Sequence, residues 1–476
     1  MMGPMNTASD YRAIIVGAGP AGLFAAIGLA EALGAGSSAD YGPADDGLAA
    51  AGSAILVLER REKPARKLLL SGSGQCNITH SGPMADFLDR YGGGPKPESA
   101  GRFLKPALFG FTNEELLSWF RARGLDFETE DEGKIFPADR RAASVLKVLQ
   151  DEASRLGIRI ETQRRVLGIE RSSGAENAYG FERAPGVAGA PGGFLLHAGN
   201  PGADPAGQGG LPAPTEYHAP AVLIAAGGAS YPKTGSSGDG YALAASLGHH
   251  IVPPRPALAP VFVKDFPLGA LAGLSFRDAG LTLRRGGPGG QRSLAREGDL
   301  LITHEGLSGP LILDASRSIE AGDILEIRFS EAGPDAFRAR LDADLKANPR
   351  RLVRTILAET GLTKKMAERF CDLAGIAPEE TAASLPRARR EALCVLACAF
   401  PLEVARLGSL DTAMATAGGV ALPEVNPRTL ESRLAPGLFF AGEVLDIDGD
   451  SGGYNLQAAF STGALAAKGM ATFLAR

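Results

Sequence analysis

Residues 11–33 read YRAIIVGAGPAGLFAAIGLAEAL. The apolar run Ala13 to Val16 predicts a buried strand, Gly17, Gly19 and Gly22 supply G-x-G-x-x-G, and the alanine- and leucine-rich run after Gly22 predicts a helix. Strand, glycine turn and helix start follow one another as a dinucleotide-binding βα unit requires. Each glycine has its own task there: Gly17 makes the tight turn, Gly19 lets backbone approach a pyrophosphate, and Gly22 lets the helix pack close to the strand. The helix N-terminus then faces the diphosphate, where free N–H groups and the positive dipole end favour an anion. Downstream, AGSAILVLERRE (residues 51–62) predicts a second buried strand ending in Glu59, the acidic residue expected to hold a ribose hydroxyl. Glu59 comes later than the usual spacing of about 20 residues, because the glycine-, serine- and aspartate-rich stretch 34–54 reads as an insertion after the first helix. The competing reading is a tight βα turn in an ordinary α/β protein with no nucleotide.

At 476 residues and 49.2 kDa the chain is longer than one hydrophobic core sustains, so two or three structural units are expected. Hydrophobic residues make up 45% and charged residues 22%, the profile of a globular protein. A net charge of -5 and a pI near 5.8 argue against binding to nucleic acid or to an anionic membrane surface, both of which need clustered positive charge. A small-molecule substrate is the expectation. The N-terminal MMGPMNTASD lacks the basic and apolar regions of a signal peptide, and no apolar run is long enough to span a bilayer. Cys76, Cys371, Cys394 and Cys398 are too scattered for a disulfide framework, which points to the reducing cytoplasm. Cys394 and Cys398 are spaced i, i+4; with no His or Cys nearby they read as buried thiols, and no metal is expected. Oligomeric state is not legible.

Several other stretches have the composition of ligand-lining loops. In KPARKLLLSGSGQCNITH (63–80), Arg66 and Lys67 follow the Glu59 strand, and Gly72 and Gly74 bracket a turn through Asn77 that either wraps a ligand with backbone N–H groups or is a plain basic loop. Ala221 to Ala226 predicts a buried strand, Gly227 and Gly228 allow close backbone approach, and a helix follows from Gly238 to Leu247, with Asp239 placed to cap it or to meet a ligand. Between them, NEELLSWFRARG and ASVLKVLQDEASRLG read as helices, the first capped by Thr112 or Asn113. The glycine-, proline- and alanine-rich tract 172–220 holds one strand-like island, GFLLHAG, with His197 and His218 read as incidental. Beyond a proline-rich break, residues 258–330 alternate in short runs that suggest a small β-barrel or sandwich, and residues 331–404 are helical and charged. His304 and Glu305 mark a strand-to-loop junction that faces a substrate or is simply a turn. Near the C-terminus a buried strand, Leu438 to Ala441, leads into an acidic turn with Glu443, Asp446 and Asp448; Gly452 and Gly453 then open a small-residue helix from Asn455.

The segments RKLLLSGSGQCNIT, EGKIFP and GEVLDIDGDSGGYNLQAA, together with the N-terminal GAGPAG, resemble motifs of the bacterial flavoprotein family that includes the BaiN-like reductases and the aminoacetone-oxidase-like enzymes. That family usually has Arg at the position of Gln75, Asn at His80 and Arg at Lys134. The resemblance implies an α/β architecture: a Rossmann-like FAD-binding domain of the two-dinucleotide-binding-domain flavoprotein type, with an inserted β-barrel-like unit and a helical unit. The boundaries expected are 1–257 and 405–476 for the FAD domain, 258–330 for the β-rich insertion and 331–404 for the helical one. It further implies that FAD meets Gly17, Gly19, Pro20, Ala21, Gly22, Glu59, Arg66, Lys67, Gly74, Cys76, Asn77, Gly227, Gly228, Gly442, Glu443, Asp446, Gly452, Gly453, Tyr454 and Asn455. Flavin N5 would carry hydride chemistry, with His304, Tyr454 and Cys76 as candidates for any acid or base. Only one dinucleotide fingerprint is present, so NAD(P)H, if it is the reductant, binds transiently over the flavin. Reduction of a conjugated enone and oxidation of a small amine both remain open. A non-flavin NAD-dependent dehydrogenase and a non-catalytic flavin-bearing redox sensor are the alternatives from other classes.

Overall fold

The computed structural model describes residues 9–36, 52–94, 96, 98–172, 193–200, 214–286 and 289–476. Most of the 34–54 insertion and much of the 172–220 tract lie outside these residues. The described residues part into two compact units, one drawn from Met1–Arg255 and Ala415–Arg476 and the other from Pro256–Met414.

The first unit is built on a five-stranded parallel sheet in the order Leu438–Phe440, Ala221–Ile224, Ala13–Val16, Ile55–Leu58, Arg159–Glu161. The four strands from Leu438–Phe440 through Ile55–Leu58 are buried at every position, which is why they appear in the sequence as unbroken apolar runs instead of alternating ones. The sheet carries two long helices, Pro20–Gly36 and Tyr454–Leu474. They pack closely because glycines meet at their contact: a Cβ on Gly463 would lie 2.6 Å from the Ala21 carbonyl oxygen, and one on Gly28 would lie 3.2 Å from Ala467 Cβ.

A second sheet in this unit is ordered Ser9–Asp10, Thr215–Ala219, Phe194–Gly199, Arg165–Arg171. The Phe194–Gly199 strand is the GFLLHAG island. Thr215–Ala219 corrects the sequence reading, which found no second strand in that tract: the segment alternates, with Tyr217 and Ala219 buried between half-buried neighbours. A proline at each side hid so short a pattern. The helix Asn113–Arg121 begins as expected, with Thr112 Oγ1 accepting from the Glu115 N–H while the Glu115 side chain accepts from the Thr112 N–H.

The second unit closes six strands into a barrel in the order Val261–Val263, Gly306–Ser308, Gln291–Ile302, Ser275–Arg285, Ile324–Arg328, Phe400–Leu407. The last strand comes from beyond the helices Pro334–Ala347, Val353–Ala358, Lys364–Leu373 and Arg387–Cys398. Barrel residues such as Leu281, Ile327 and Leu402 therefore share one core with Phe337, Leu341, Phe370 and Leu393 of the helices. The β-rich and helical stretches, separated at residue 330 in the sequence reading, are parts of a single packed body.

Candidate cofactor site

The glycine turn after Ala13–Val16 has the geometry its residues demand. Gly17 adopts φ +104°, and a Cβ there would stand 2.5 Å from the Ala225 carbonyl oxygen of the neighbouring strand. A Cβ on Gly22 would stand 2.0 Å from the Gly17 carbonyl oxygen. Gly19 differs from both: a Cβ there meets nothing within 4 Å. The protein itself leaves that position open, as expected of a glycine that is small for the sake of a ligand. Beside it begins the helix Pro20–Gly36, and the first-turn N–H groups of a helix have no partner within it, which favours an anion there.

Glu59 stands where the adjacent strand ends. Its Oε2 accepts from the Ala18 N–H at 3.0 Å, so the acid is tied to the glycine turn, and its Oε1 accepts from the Arg61 N–H at 2.8 Å. Burial raises its pKa above the usual carboxylate value, against the pull of those two N–H groups. Arg60 turns away to Asp239, which it meets at 3.0 Å; Arg165 reaches the same carboxylate at 3.0 Å. Asp239 is thereby a hub for two arginines, a use that neither sequence reading of it gave.

The 63–80 loop supplies a run of tight turns. Gly72 and Gly74 have φ +53° and +88°, and Ser73 and Cys76 also adopt left-handed backbone at +55° and +62°. Arg66 is exposed. Cys76 is fully buried, and burial pushes its thiol up to about 12, so it remains neutral at physiological pH. With its amide turned so that the nitrogen meets acceptors, Asn77 donates to the carbonyls of Thr79 and Ile135 at 2.9 and 3.2 Å. Lys67 lies against Glu443, Nζ to Oε2 at 2.7 Å.

The C-terminal strand brings the remaining predicted residues to the same unit. Gly442, at φ +75°, would place a Cβ 3.0 Å from Ala21 Cβ, so the end of this strand abuts the start of the first helix. Its N–H donates to Thr462 Oγ1 on the last helix at 3.0 Å. Gly452 and Gly453, at φ +112° and +96°, turn the chain into that helix, and a Cβ on Gly453 would lie 2.6 Å from the Thr79 carbonyl. Tyr454 is buried there, stacked on His80 with ring centroids 5.3 Å apart and accepting the Tyr91 hydroxyl at its carbonyl at 2.9 Å. Asn455 folds back on Gly449, accepting its N–H and donating to its carbonyl, both at 2.8 Å. Asp446 accepts from the Gly94 N–H at 2.7 Å and is raised by burial above the usual carboxylate pKa. His304 lies in the second unit, on the exposed turn between two barrel strands.

The N-terminal glycine turn, Glu59, the 63–80 loop, the Gly227–Gly228 loop and the Gly442–Asn455 turn thus all line one side of a parallel sheet at its strand ends, where open α/β sheets bind ligands. Sequence reasoning missed Ser230 and Thr416, which join these loops from inside; a small polar residue beside a glycine pair is their only local signal. Residues 11–182 and 211–469 match the family described as HI0933-like protein Rossmann domain. The chain belongs to that family.

The chain is 32% identical over 469 residues to the 3-dehydro-bile acid delta(4,6)-reductase of Clostridium scindens, covering 96% of this chain and 98% of that protein. It is 28% identical over 457 residues to the ribosomal RNA dihydrouridine synthase of Escherichia coli, covering 95% and 96%. Among solved structures, 3-ketosteroid-delta4-(5alpha)-dehydrogenase from Rhodococcus jostii RHA1 matches 99% of this chain and 98% of its own at 15% identity and a TM-score of 0.46. Family membership and the reductase relative make the chain an FAD-dependent oxidoreductase with a Rossmann FAD-binding domain, and the non-flavin dehydrogenase and the non-catalytic sensor are set aside. Relatives named for ribosomal RNA mean that charge alone does not exclude a nucleic-acid partner. No helix among the described residues is long and apolar enough to cross a membrane.

Proposed function

We propose that this flavoenzyme is a reductase that takes hydride from NAD(P)H and delivers it to a carbon–carbon double bond conjugated to a carbonyl in a small organic molecule. Bound FAD supplies the hydride chemistry through its N5. The observation that supports the cofactor's place is the open space at Gly19, together with a last helix opened by Gly452 and Gly453; the two would receive the ends of an extended dinucleotide. Gly17, Gly19, Pro20, Ala21 and Gly22 would hold the diphosphate, Glu59 the adenosine ribose, and the Gly452–Asn455 helix start the flavin's pyrimidine ring, where N–H groups and dipole favour the negative charge of reduction. One dinucleotide unit leaves the nicotinamide to bind over the flavin in passing. The direction, reduction, is favoured by the names of the relatives, a delta(4,6)-reductase and a dihydrouridine synthase.

A small molecule is favoured over RNA by charge. The net charge is -5, and surface cations of the second unit are matched by carboxylates, as in Arg351–Glu359, Arg387–Glu391, Arg389–Glu380 and Arg390–Asp342. Phosphates would have to displace the four pairs named, though other cations of that unit are not among them. The same proposal places the protein in a reducing compartment, its four cysteines being free thiols. Tyr454, at the flavin end, is the proposed candidate for a proton donor; a thiol held near 12, as in Cys76, is a poor one.

Rapid mixing without oxygen tests the reading. NADH or NADPH is expected to bleach the flavin, and a conjugated enone is expected to restore its colour faster than air does. Bleaching by small amines with recovery only in oxygen would replace the reductase with an oxidase. Recovery on uridine-containing ribosomal RNA but on no small enone would overturn the substrate class.

A further inference from the structure

Three segments remote in the chain converge on the carboxylate of a fourth. Glu443 Oε1 accepts from the Thr416 N–H at 2.8 Å, from Lys67 Nζ at 3.0 Å and from Ser230 Oγ at 3.3 Å, while Oε2 accepts from Lys67 Nζ at 2.7 Å. Lys67 Nζ also donates to Ser230 Oγ at 2.6 Å. Thr416 Oγ1 accepts in turn from the N–H groups of Ala229 and Ser230 at 2.9 and 3.0 Å. Ser230 and Thr416 are fully buried, and the Lys67 and Glu443 side chains keep only 25% and 20% of their exposure. Even the adjacent glycine is fitted to the cluster: a Cβ on Gly228 would lie 2.4 Å from Thr416 Oγ1 and 3.0 Å from Glu443 Cδ.

Composition and resemblance make Lys67 and Glu443 look like ligands of the cofactor, a cation and an anion on its two flanking loops. Their polar atoms are otherwise engaged. An ammonium has three donors, and those of Lys67 face Ser230 Oγ and the two oxygens of Glu443. The pair is neutral as a unit, so it offers a phosphate or a flavin oxygen little net charge. What it does offer is geometry, because it ties the turn after the Glu59 strand, the Gly227–Gly228 loop, the strand holding Thr416 and the Gly442 turn to a common point. Such loops have no regular hydrogen-bond ladder to fix them, and removal of one charge would leave the other buried without compensation.

We propose that Lys67 and Glu443 are positioning residues that act on FAD only through each other, bracing the loops around the cofactor. The proposal rests on FAD being the cofactor and is independent of which acceptor takes the hydride. It is tested by titrating FAD into apoprotein of the wild type, Lys67→Met, Glu443→Gln and the double variant, with Lys67→Arg as the conservative control. Each single change is expected to weaken FAD binding about tenfold or more, and the double to be no weaker than the worse single, since the second change removes a partner already lost. Lys67→Arg, which can still span Ser230 and the carboxylate, is expected to recover most of the affinity. Losses that multiply in the double variant would show that each side chain holds FAD on its own account and would overturn the proposal. Unchanged affinity in both single variants would do the same. Should the charge variants fail to fold, Ser230→Ala removes only one hydroxyl from the brace; unaltered FAD affinity in that folded variant also overturns it.

Discussion

Gly19 and Gly22 sit three positions apart in one motif, and the structure separates their reasons for being glycine. Nothing in the protein approaches a Cβ at Gly19, whereas one at Gly22 would be 2.0 Å from a backbone carbonyl. Gly19→Leu is therefore expected to leave the melting temperature of the apoprotein nearly unchanged, within about 0.5 kcal/mol, and to abolish FAD binding; flavin absorbance after reconstitution reads the second effect. Gly22→Ala is expected to destabilise the apoprotein itself by roughly 1–3 kcal/mol, visible in denaturant unfolding without any cofactor. His249 carries a different prediction. Its Nε2 lies 2.8 Å from Ser432 Oγ and its Nδ1 3.1 Å from Glu424 Oε2. Ser432 Oγ already accepts from the Leu434 and Ala435 N–H groups, so its own hydrogen goes to Nε2 and the ring is neutral. Burial depresses the imidazole pKa, overriding the opposing pull of Glu424. A depressed histidine leaves the fold at full stability above the ordinary value of 6.5 and weakens it as pH falls below that value, because the unfolded chain then binds the extra proton. His249→Gln is expected to flatten the fall in melting temperature between about pH 6.5 and pH 5 relative to the wild type; parallel profiles would refute this.

At the scale of elements, the helices Pro20–Gly36 and Tyr454–Leu474 were both legible, each announced by glycines and small residues, but their mutual contact was not. It depends on Gly463 facing the Ala21 carbonyl, a pairing of residues more than 400 positions apart in the chain. Gly463→Val is expected to push the helices apart, lowering apoprotein stability and FAD affinity together, in contrast to Gly19→Leu, which lowers affinity alone. A cap at Thr112 or Asn113 is legible from its own neighbourhood, since an N-cap needs only residues within one turn, and the structure selects Thr112. Thr112→Ala is expected to cost about 1 kcal/mol in equilibrium unfolding and nothing in flavin binding. The Thr215–Ala219 strand is hard to read for the opposite reason: its alternation is short and flanked by prolines, and its pairing with Phe194–Gly199 and Ser9–Asp10 is with segments remote in the chain.

For the whole molecule, the parallel sheet, the discontinuous FAD domain and the change to a β-rich and then helical insertion follow from the sequence. The buried strands and the change from a β-rich to a helical stretch rest on periodicity and on glycine chemistry, which act over a few residues, and the discontinuous FAD domain on the resemblance to a known family. An acidic balance of charge predicts that the purified protein will not retain ribosomal RNA at physiological salt, and a filter-binding assay with competing salt checks it. Closure of the barrel by Phe400–Leu407 and the sharing of its core with the helices were decided by tertiary packing, because the strand that completes the barrel is separated from its neighbours by the helices whose apolar faces must also be covered. The same holds at the cofactor site. Sequence alone determined which loops could approach a dinucleotide, since a missing Cβ and a free N–H are local properties. Only the folded chain decided that Glu59 is tied to Ala18, that Asp239 gathers two arginines and that Lys67 is engaged by Glu443, because a charged side chain takes the partner that burial brings to it, and burial is a property of the whole fold.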